Sequence, residues 1–283
     1  SSDLHEEAAA RCAGAEVVTF IVASDTHFGF SEEVDARNRA SVRAMNAMEG
    51  KLWPEPLGGA VREVCGVLVT GDLTEDGKPD EWKKFEEVFG HRGGDGELAH
   101  PVFETLGNHD KHHGPYVRER IAVRHGGVVY AFDWGPLRLV SLGEAPDDED
   151  LKWLSRELST MKPGSHAVLF FHFPLAGPYS TDQWFGDGPY RDRFAGVVEG
   201  KPVAGVFHGH YHAAGLYRWR GLDVYRTGSP KHRWHTFTVV EVEGGVMKAA
   251  SWDYDNSRWV WWHKKWLDGS QPEARWADEA VPP

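Results

Sequence analysis

Residues 17–27 have the sequence Val-Val-Thr-Phe-Ile-Val-Ala-Ser-Asp-Thr-His, and this stretch decides the fold. Its first seven residues are mostly β-branched or aromatic, without the polar alternation of a strand that has one face in water. Such a continuous apolar run is typical of a strand buried on both faces of a sheet. The stretch then ends in Asp25 and His27, two side chains that can bind a metal ion. It therefore predicts a central strand with chemistry at its carboxyl end.

The rest of the chain alternates strands and helices before it changes to consecutive strands. Helices are expected from Ser31 to Gly50, from Pro79, and behind Asp147. Further strands are predicted at 66–70, 101–106, 128–132, 137–142, 166–171, 203–207, 236–242, 245–251 and 258–263. This order favours an α/β fold with mixed β-sheets covered by helices. We expect one domain over residues 1–283, with a core at about 16–242, C-terminal strands at 243–267 packed on it and a tail at 268–283.

The charge balance limits the classes of partner. The chain has 43 acidic and 31 basic residues, a formal net charge of −12. This balance disfavours non-specific binding to nucleic acid or to an anionic membrane, so we expect no nucleic-acid partner. No apolar run approaches the roughly 18 residues that a membrane-spanning helix needs, so we expect no membrane span and a soluble protein. A small anionic substrate is still compatible with this charge if bound cations reverse the sign locally. The sequence does not set the oligomeric state.

The two cysteines leave two interpretations open. Cys12 precedes the first predicted strand and Cys65 precedes the second, so the thiols could meet if those strands are neighbours. A disulfide would indicate an oxidising, extracytoplasmic or secreted location, and two separate reduced thiols would not. The first residues show no basic region followed by an apolar one, so the sequence predicts no signal peptide, or one already removed.

Five short polar segments each follow a predicted strand. They are Asp25-Thr26-His27, Gly71-Asp72, Gly107-Asn108-His109-Asp110, His172, and Gly209-His210-Tyr211-His212. In α/β sheets the loops after the carboxyl ends of parallel strands converge, so residues distant in sequence can share one site. Each segment alone could be a turn, a helix cap or a buried histidine. Their joint occurrence at strand ends predicts a metal site.

The residue types indicate which metal chemistry the site would support. Mixed oxygen and nitrogen donors without a nearby thiolate suit Zn, Mn, Fe or Co. Two cations about 3.5–4 Å apart need an anionic bridge between them, and one carboxylate can supply it. Asp72 is the best candidate for the bridge. The glycine before it allows a sharp backbone turn at the strand end.

The five segments, in this order, resemble the motifs of the calcineurin-like metallophosphoesterase family, which read D-x-H, G-D, G-N-H-D/E, H and G-H-x-H. The resemblance runs from residue 20 to about 230. It implies a pair of divalent or mixed-valence metal ions. The implied ligands are Asp25, His27, Asp72 and His212 for the first ion, and Asp72, Asn108, His172 and His210 for the second.

The resemblance also implies a fold and a reaction. The family fold is a four-layer sandwich, in which two mixed β-sheets are flanked by helices. The implied reaction is hydrolysis of a small phosphate ester, a monoester or a diester, by a metal-bound hydroxide. His109 matches the residue that faces the phosphate and the leaving group, and Asp110 matches the residue that orients it.

Two details refine this comparison. Residues 207–212 contain two possible His-x-His pairs, and the family pattern, with glycine before the first ligand, favours His210 and His212 over His208. Purple acid phosphatases have a metal-binding tyrosine three residues after the bridging aspartate, where this chain has Glu75. The sequence around Asp72 is more similar to bacterial phosphodiesterases of the cyclic-nucleotide and glycerophosphodiester type.

Substrate selection is expected in residues 179–193, between the last two motifs. Trp184 could stack on a base or ring, and Arg191 or Arg193 could bind a second phosphate. A surface loop with an anchoring aromatic residue is an equally good interpretation of this segment.

Two other functions were compared with hydrolysis. A binding or scaffold protein with this fold usually lacks ligands or the catalytic histidine, and none is missing here. A nuclease is disfavoured by the acidic charge and by the absence of a basic stripe in the sequence.

Overall fold

The computed structural model describes residues 6–7, 10–177 and 185–277. The helices are α1 Glu32–Asn46, α2 Pro79–Phe89, α3 Tyr116–His125, α4 Asp148–Ser159 and α5 Gly188–Val198. The strands are β1 Val17–Ala23, β2 Val64–Val69, β3 Val102–Glu104, β4 Val129–Trp134, β5 Leu137–Leu142, β6 His166–Phe170, β7 Val203–His208, β8 Gly215–Trp219, β9 Leu222–Arg226, β10 Thr236–Glu243, β11 Val246–Asp253, β12 Arg258–Trp266 and β13 Ala274–Ala277.

The predicted central strand is confirmed as β1. All but its first residue are buried. It pairs in parallel with β2 and antiparallel with β10, so it has a hydrogen-bonded neighbour on each side. The first sheet has the order β13-β12-β11-β10-β1-β2-β3, and the second has the order β4-β5-β6-β7-β9-β8. Both sheets are mixed.

Helices flank the two sheets, and three apolar clusters hold the layers together. The first cluster packs α1, α2 and α3 on the first sheet, through side chains such as Val42, Phe85 and Ile121. The second fills the space between the sheets, where Phe20 and Phe207 meet from opposite layers. The third packs α4 and α5 on the second sheet, for example through Leu154 and Phe194. The predicted four-layer sandwich is therefore confirmed.

Most predicted elements are present, with shifted ends. Ser31 caps α1 by accepting a hydrogen bond from the amide of Val34, but the helix ends at Asn46 rather than near Gly50. Pro79 occupies the first turn of α2, and Asp147 caps α4 as expected. Each cap satisfies backbone N–H groups that have no partner within the helix.

Several elements were not predicted. The sequence of α3 is rich in charged residues, and α5 contains two glycines and a proline, so neither shows a clear apolar stripe. Residues 188–193, placed by the sequence in a substrate loop, begin α5. Strand β13 lies in the region that the sequence assigns to a tail, and it pairs with β12. Pairing with a neighbouring strand, which local sequence does not reveal, makes this segment a strand.

A disulfide joins Cys12 to Cys65. It links the segment before β1 to strand β2, which is the neighbour of β1. Of the two interpretations of the cysteines, the paired one agrees with the structure. Within the described residues, no helix has both the length and the apolar character needed to cross a bilayer.

Candidate metal centre

The five polar segments come together at one edge of the sandwich. Strands β1, β2 and β3 are parallel neighbours in the first sheet, and β6 and β7 are parallel neighbours in the second. Their carboxyl ends therefore point the same way within each sheet. The side chains that follow them meet at this shared edge, where ligand atoms lie within 4.8 Å of one another in each group described below.

The backbone is strained where the candidate ligands lie. Among the described residues, seven non-glycine residues have a positive φ, and five of them are candidate ligands. Those five are Asp25, His27, Asp72, His210 and His212. The Cβ atom of a non-glycine residue makes this left-handed conformation sterically unfavourable. Such backbone strain is concentrated at functional sites. The fold therefore holds these side chains in positions that their local sequence does not favour.

Two glycines allow the loops to approach each other closely. A Cβ atom on Gly107 would lie 2.1 Å from the amide nitrogen of Asp72. A Cβ atom on Gly209 would lie 2.0 Å from Oγ of Ser24 and 2.5 Å from a carboxylate oxygen of Asp25. Any side chain at either position would push the loops apart. Packing around the site thus requires glycine at both of these positions.

The first group of donors contains Asp25, His27, Asp72 and His212. Nε2 of His27 lies 3.1 Å from Nε2 of His212, and Nε2 of His212 lies 3.0 Å from Oδ1 of Asp25. Nε2 of His27 is 3.7 Å from Oδ2 of Asp72. Asp25, His27 and Asp72 are almost fully buried.

The second group contains Asp72, His172 and His210, with Asn108 beside them. Nε2 of His172 lies 3.2 Å from Oδ2 of Asp72, 3.1 Å from Oδ1 of Asn108 and 3.3 Å from Nδ1 of His210. Asp72 belongs to both groups. Its Oδ1 also accepts a hydrogen bond of 2.8 Å from the amide of His109, which fixes the carboxylate between them.

The hydrogen bonds around these histidines show that the donor set fits bound cations. Nδ1 of His172 donates to the carbonyl oxygen of Thr70 at 2.8 Å, and Nδ1 of His27 lies 2.8 Å from the carboxylate of Glu75. In the neutral rings the Nε2 atoms then carry lone pairs. Lone pairs of nitrogen and oxygen therefore converge in both groups with no hydrogen atom between them. A bound cation would accept these lone pairs, so the rings would not have to be protonated. A metal ion in each group would have nitrogen and oxygen ligands of the type seen in Zn, Mn, Fe or Co sites.

The electrostatics agree with this interpretation. Burial disfavours the charged ring of His172, but the nearby carboxylates of Asp72 and Asp25 raise its pKa to about 10. Against the effect of burial, nearby histidines hold the pKa of both carboxyl groups well below its usual range. The site thus keeps two buried carboxylates ionised and attracts positive charge. A bound cation would take the place of the proton on His172.

His109 lies beside the donor groups and at the cavity. Its Nδ1 donates to the carbonyl oxygen of Glu75 at 2.7 Å, and its ring packs edge-on against His27. Among the hydrogen bonds of the described residues, none joins Asp110 to that ring. Its buried carboxylate accepts hydrogen bonds from Thr74 and from the amide of Gly107. Burial and the charge of Asp72 raise the pKa of Asp110 to about 7.

His208 is buried apart from the two groups. Its Nε2 lies 2.9 Å from the hydroxyl of Tyr217, and its Nδ1 lies 2.8 Å from the carbonyl oxygen of Gly209. Burial lowers the pKa of His208 to about 3. These contacts agree with the choice of His210 and His212 as the donor pair.

The expected substrate residues are only partly described. Trp184 lies outside the described residues. Arg191 and Arg193 lie on α5, and Arg193 forms an ion pair of 3.2 Å with Asp148 at the start of α4. Arg193 lines a cavity between these two helices and not the cavity at the histidines. The structure therefore does not bring Arg193 to the donor groups.

Sequence reasoning missed the wall of the cavity at the histidines. This cavity has a volume of about 470 Å³. Its lining comprises Asp72, His109, His210, Tyr211, His212, Ala213, Lys231, His232, Arg233 and Trp234. The last four residues follow β9, which runs parallel to β7 and therefore ends at the same edge. The sequence signal that could have indicated this wall is a strand followed by the turn residues Gly228-Ser229-Pro230, which is the same arrangement as in the other segments.

Glu75 and Lys231 were also missed as parts of the site. The carboxylate of Glu75 lies 2.8 Å from Nδ1 of His27 and accepts two hydrogen bonds from Nζ of Lys231, at 2.8 and 3.0 Å. Although burial opposes ionisation, these contacts lower the pKa of Glu75 to about 2. Glu75 is thus an ionised group that fixes the ring of His27.

Comparison with known proteins places this geometry in a family. The family model for calcineurin-like phosphoesterases matches residues 18–214. A curated relative from Arcobacter nitrofigilis, named "Probable glycerophosphodiester phosphodiesterase GpdQ", is 24% identical over 182 residues, which are 59% of this chain and 63% of the relative. The match thus spans less than two thirds of that relative's length.

Solved structures show the same fold at low identity. A dimetal phosphatase from Danio rerio superposes with a TM-score of 0.61 at 14% identity, covering 83% of this chain and 95% of the other. GAP50, described as the anchor in the inner membrane complex of Plasmodium, superposes with a TM-score of 0.62 at 13% identity, covering 88% of each chain. The family match extends through all five segments and both donor groups, and on this basis the chain belongs to the calcineurin-like phosphoesterase family.

Proposed function

We propose that the protein is a dinuclear metal-dependent phosphoesterase that hydrolyses a small phosphate diester. The observation that supports this most is the pair of donor groups that share Asp72 at the floor of an open cavity. Asp25, His27, Asp72 and His212 would hold one ion, and Asp72, Asn108, His172 and His210 the other. A shared carboxylate is what two neighbouring cations require.

Two bound cations would lower the pKa of a water ligand and offset charge that develops on the phosphoryl group. The two buried aspartates supply two negative charges, so a pair of divalent ions would leave the site positive. An anionic ester would then be attracted to the site of a protein whose net charge is −12.

His109 would act on the leaving group. Its Nδ1 is bonded to the carbonyl oxygen of Glu75, so Nε2 is the atom left for substrate. The side chain is 25% exposed and lines the cavity. From there it would donate a proton or a hydrogen bond to the departing oxygen. Asp110 would contribute by holding the Gly107–Asp110 turn against Thr74, rather than by bonding to the His109 ring.

A diester is proposed before a monoester for two reasons. The curated relative carries the name of a glycerophosphodiester phosphodiesterase, and a cavity of about 470 Å³ lies beside the donor groups. Glu75 stands where purple acid phosphatases have a tyrosine ligand. A binding protein without catalysis is the weaker alternative, because none of the candidate ligands is missing and His109 is present.

Metal analysis followed by kinetics tests the proposal. We expect about two metal ions per chain, and a higher kcat/KM on bis(4-nitrophenyl) phosphate than on 4-nitrophenyl phosphate. Asp72→Asn should lose metal and turnover together. Asp133→Asn, which removes an exposed carboxylate that does not line the cavity, serves as the matched control.

The outcomes separate the alternatives. Faster hydrolysis of the monoester would reject the diester preference. A full metal complement without turnover on either ester would reject hydrolysis and support the binding protein.

A further inference from the structure

The cavity wall formed by residues 229–234, the rim segment, is held in place from several sides. Oγ of Ser229 donates to the carbonyl oxygen of Asp25 at 2.7 Å and accepts from the amide of Lys231 at 3.0 Å. The amide of Ser229 donates to the carbonyl oxygen of Trp234 at 2.8 Å, which closes the segment on itself. The rim segment is therefore attached to the backbone of a candidate metal ligand, and its side chains have fixed starting points beside the site.

Two long cationic side chains of the rim segment line the cavity, and among the described residues only one of them has a carboxylate partner. Nζ of Lys231 is paired with both carboxylate oxygens of Glu75 and lies over the ring of Phe30, with 10% of its side chain exposed. A cation held in this way is not available to a ligand. Lys231 is therefore part of the support of Glu75.

Arg233 differs from Lys231 both in its exposure and in its lack of a carboxylate partner among the described residues. It is exposed at the cavity, and within the described part of the chain no carboxylate pairs with it. Its guanidinium lies 5.3 Å from the ring centre of Trp234, a contact that supports the side chain without using its N–H groups. The fork of a guanidinium matches a phosphate group by two parallel hydrogen bonds.

We propose that Arg233 binds a second phosphate group of the substrate. The preferred diester would then have its scissile phosphate at the metal centre and a second phosphate on the ester group that is not released. This inference rests on the proposed phosphoesterase function. It assigns to Arg233 a role in specificity that the sequence expected of Arg191 or Arg193. Trp234 and Tyr211, which also line the cavity, would border the chain that links the two phosphates.

A matched pair of esters tests the role of Arg233 in the metal-loaded protein. Both substrates are phosphodiesters that release 4-nitrophenolate on hydrolysis. Their second ester group is 3-phosphonopropyl in one and 3-hydroxypropyl in the other. We expect the wild-type protein to prefer the phosphono ester by about 10- to 100-fold in kcat/KM, mainly through KM. Arg233→Gln should abolish most of this preference, and Arg233→Lys should retain part of it because the charge remains.

Arg62→Gln is the matched control, because Arg62 is 61% exposed before β2, at the opposite edge of the sheet from Asp72. An equal preference in the wild-type protein and in Arg233→Gln would overturn the inference. So would an equal loss on both esters, which would indicate a structural role.

A binding measurement separates this inference from the proposed function. Calorimetry compares propane-1,3-bisphosphonate with propylphosphonate on the metal-loaded wild-type and Arg233→Gln proteins. Tighter binding of the bisphosphonate that depends on Arg233 supports the second phosphate site even if neither ester is hydrolysed, in which case only the proposed function fails. Equal affinities for the two ligands would overturn the Arg233 site even if both esters are hydrolysed.

Discussion

Replacing Glu75 by glutamine tests how the candidate metal centre is supported. The carboxylate of Glu75 lies 2.8 Å from Nδ1 of His27 and so keeps the proton on that atom, with Nε2 directed to the first donor group. Glutamine has nearly the same shape but no charge, and its amide can present N–H to His27. The ring of His27 would then no longer be held in one protonation state.

The expected magnitude follows from these contacts. Removing the outer partner of a ligating histidine typically costs about 10- to 100-fold in metal affinity, which is about 1.4–2.8 kcal/mol. The same change leaves Lys231 without its partner, although only 10% of its side chain is exposed. We therefore expect Glu75→Gln to lower the unfolding free energy as well. Glu75→Gln/Lys231→Met removes the unpaired charge and should recover stability but not metal affinity.

The assay measures metal retained per chain against a series of chelator concentrations, with urea unfolding of the metal-free proteins alongside. Glu157→Gln is a suitable control, since Glu157 is similarly buried, with 21% of its side chain exposed, and pairs with Arg138 away from the donor groups. Unchanged metal retention in Glu75→Gln would refute the argument that Glu75 fixes the ligand His27. Metal loss that disappears in the double variant would assign the effect to Lys231 instead.

Three other predictions concern stability and turnover. Cys12→Ser/Cys65→Ser should lower the free energy of unfolding, measured in urea, by about 4 kcal/mol, because the disulfide closes a loop with a sequence separation of 53. An unchanged free energy of unfolding would contradict the argument that the disulfide limits the conformational entropy of the unfolded chain. Glu104→Gln should cost about 1–3 kcal/mol at pH 7, because Glu104 is fully buried and lies 3.0 Å from Arg124, which keeps its second ion pair with Glu86. Burial raises the pKa of Glu104, but Arg124 and His125 lower it well below its usual value of 4.5 in the folded state, so the stability it contributes is present above pH 4.5 and is lost as pH falls towards the folded pKa. The difference between wild type and Glu104→Gln should thus shrink by about 1.4 kcal/mol per pH unit below pH 4.5, and a constant difference would contradict this. His109→Ala should keep both metals but lose most turnover on esters with poor leaving groups, with aryl esters less affected; equal rates on alkyl esters would remove His109 from the chemistry.

Local sequence was sufficient for the elements that carry the donor groups. The apolar run of β1 indicates burial on both faces whatever it packs against, and the structure confirms its bounds. The glycine before Asp72 indicated a sharp turn at the strand end, and Gly71 indeed has a positive φ of 89°. The order of the five segments was specific enough to indicate the fold family.

Other features depend on contacts that no local pattern encodes. The charged sequence of α3 and the glycine-containing sequence of α5 become helical in the packed structure, where Ile121 and Phe194 are buried. Strand β13 exists because β12 offers it an edge. Propensity is a weak guide where packing decides the outcome.

The sequence by itself determined the central strand and indicated the candidate donor residues and their order, because these depend on residue types and on short spacings. Only the tertiary structure decided that β9 runs parallel to β7 and so brings Lys231 and Arg233 to the site. It also decided that Glu75 meets Lys231 across a sequence separation of 156. Strand order and direction are set by how whole sheets bury their faces, so contacts of this kind arise only when the chain is packed.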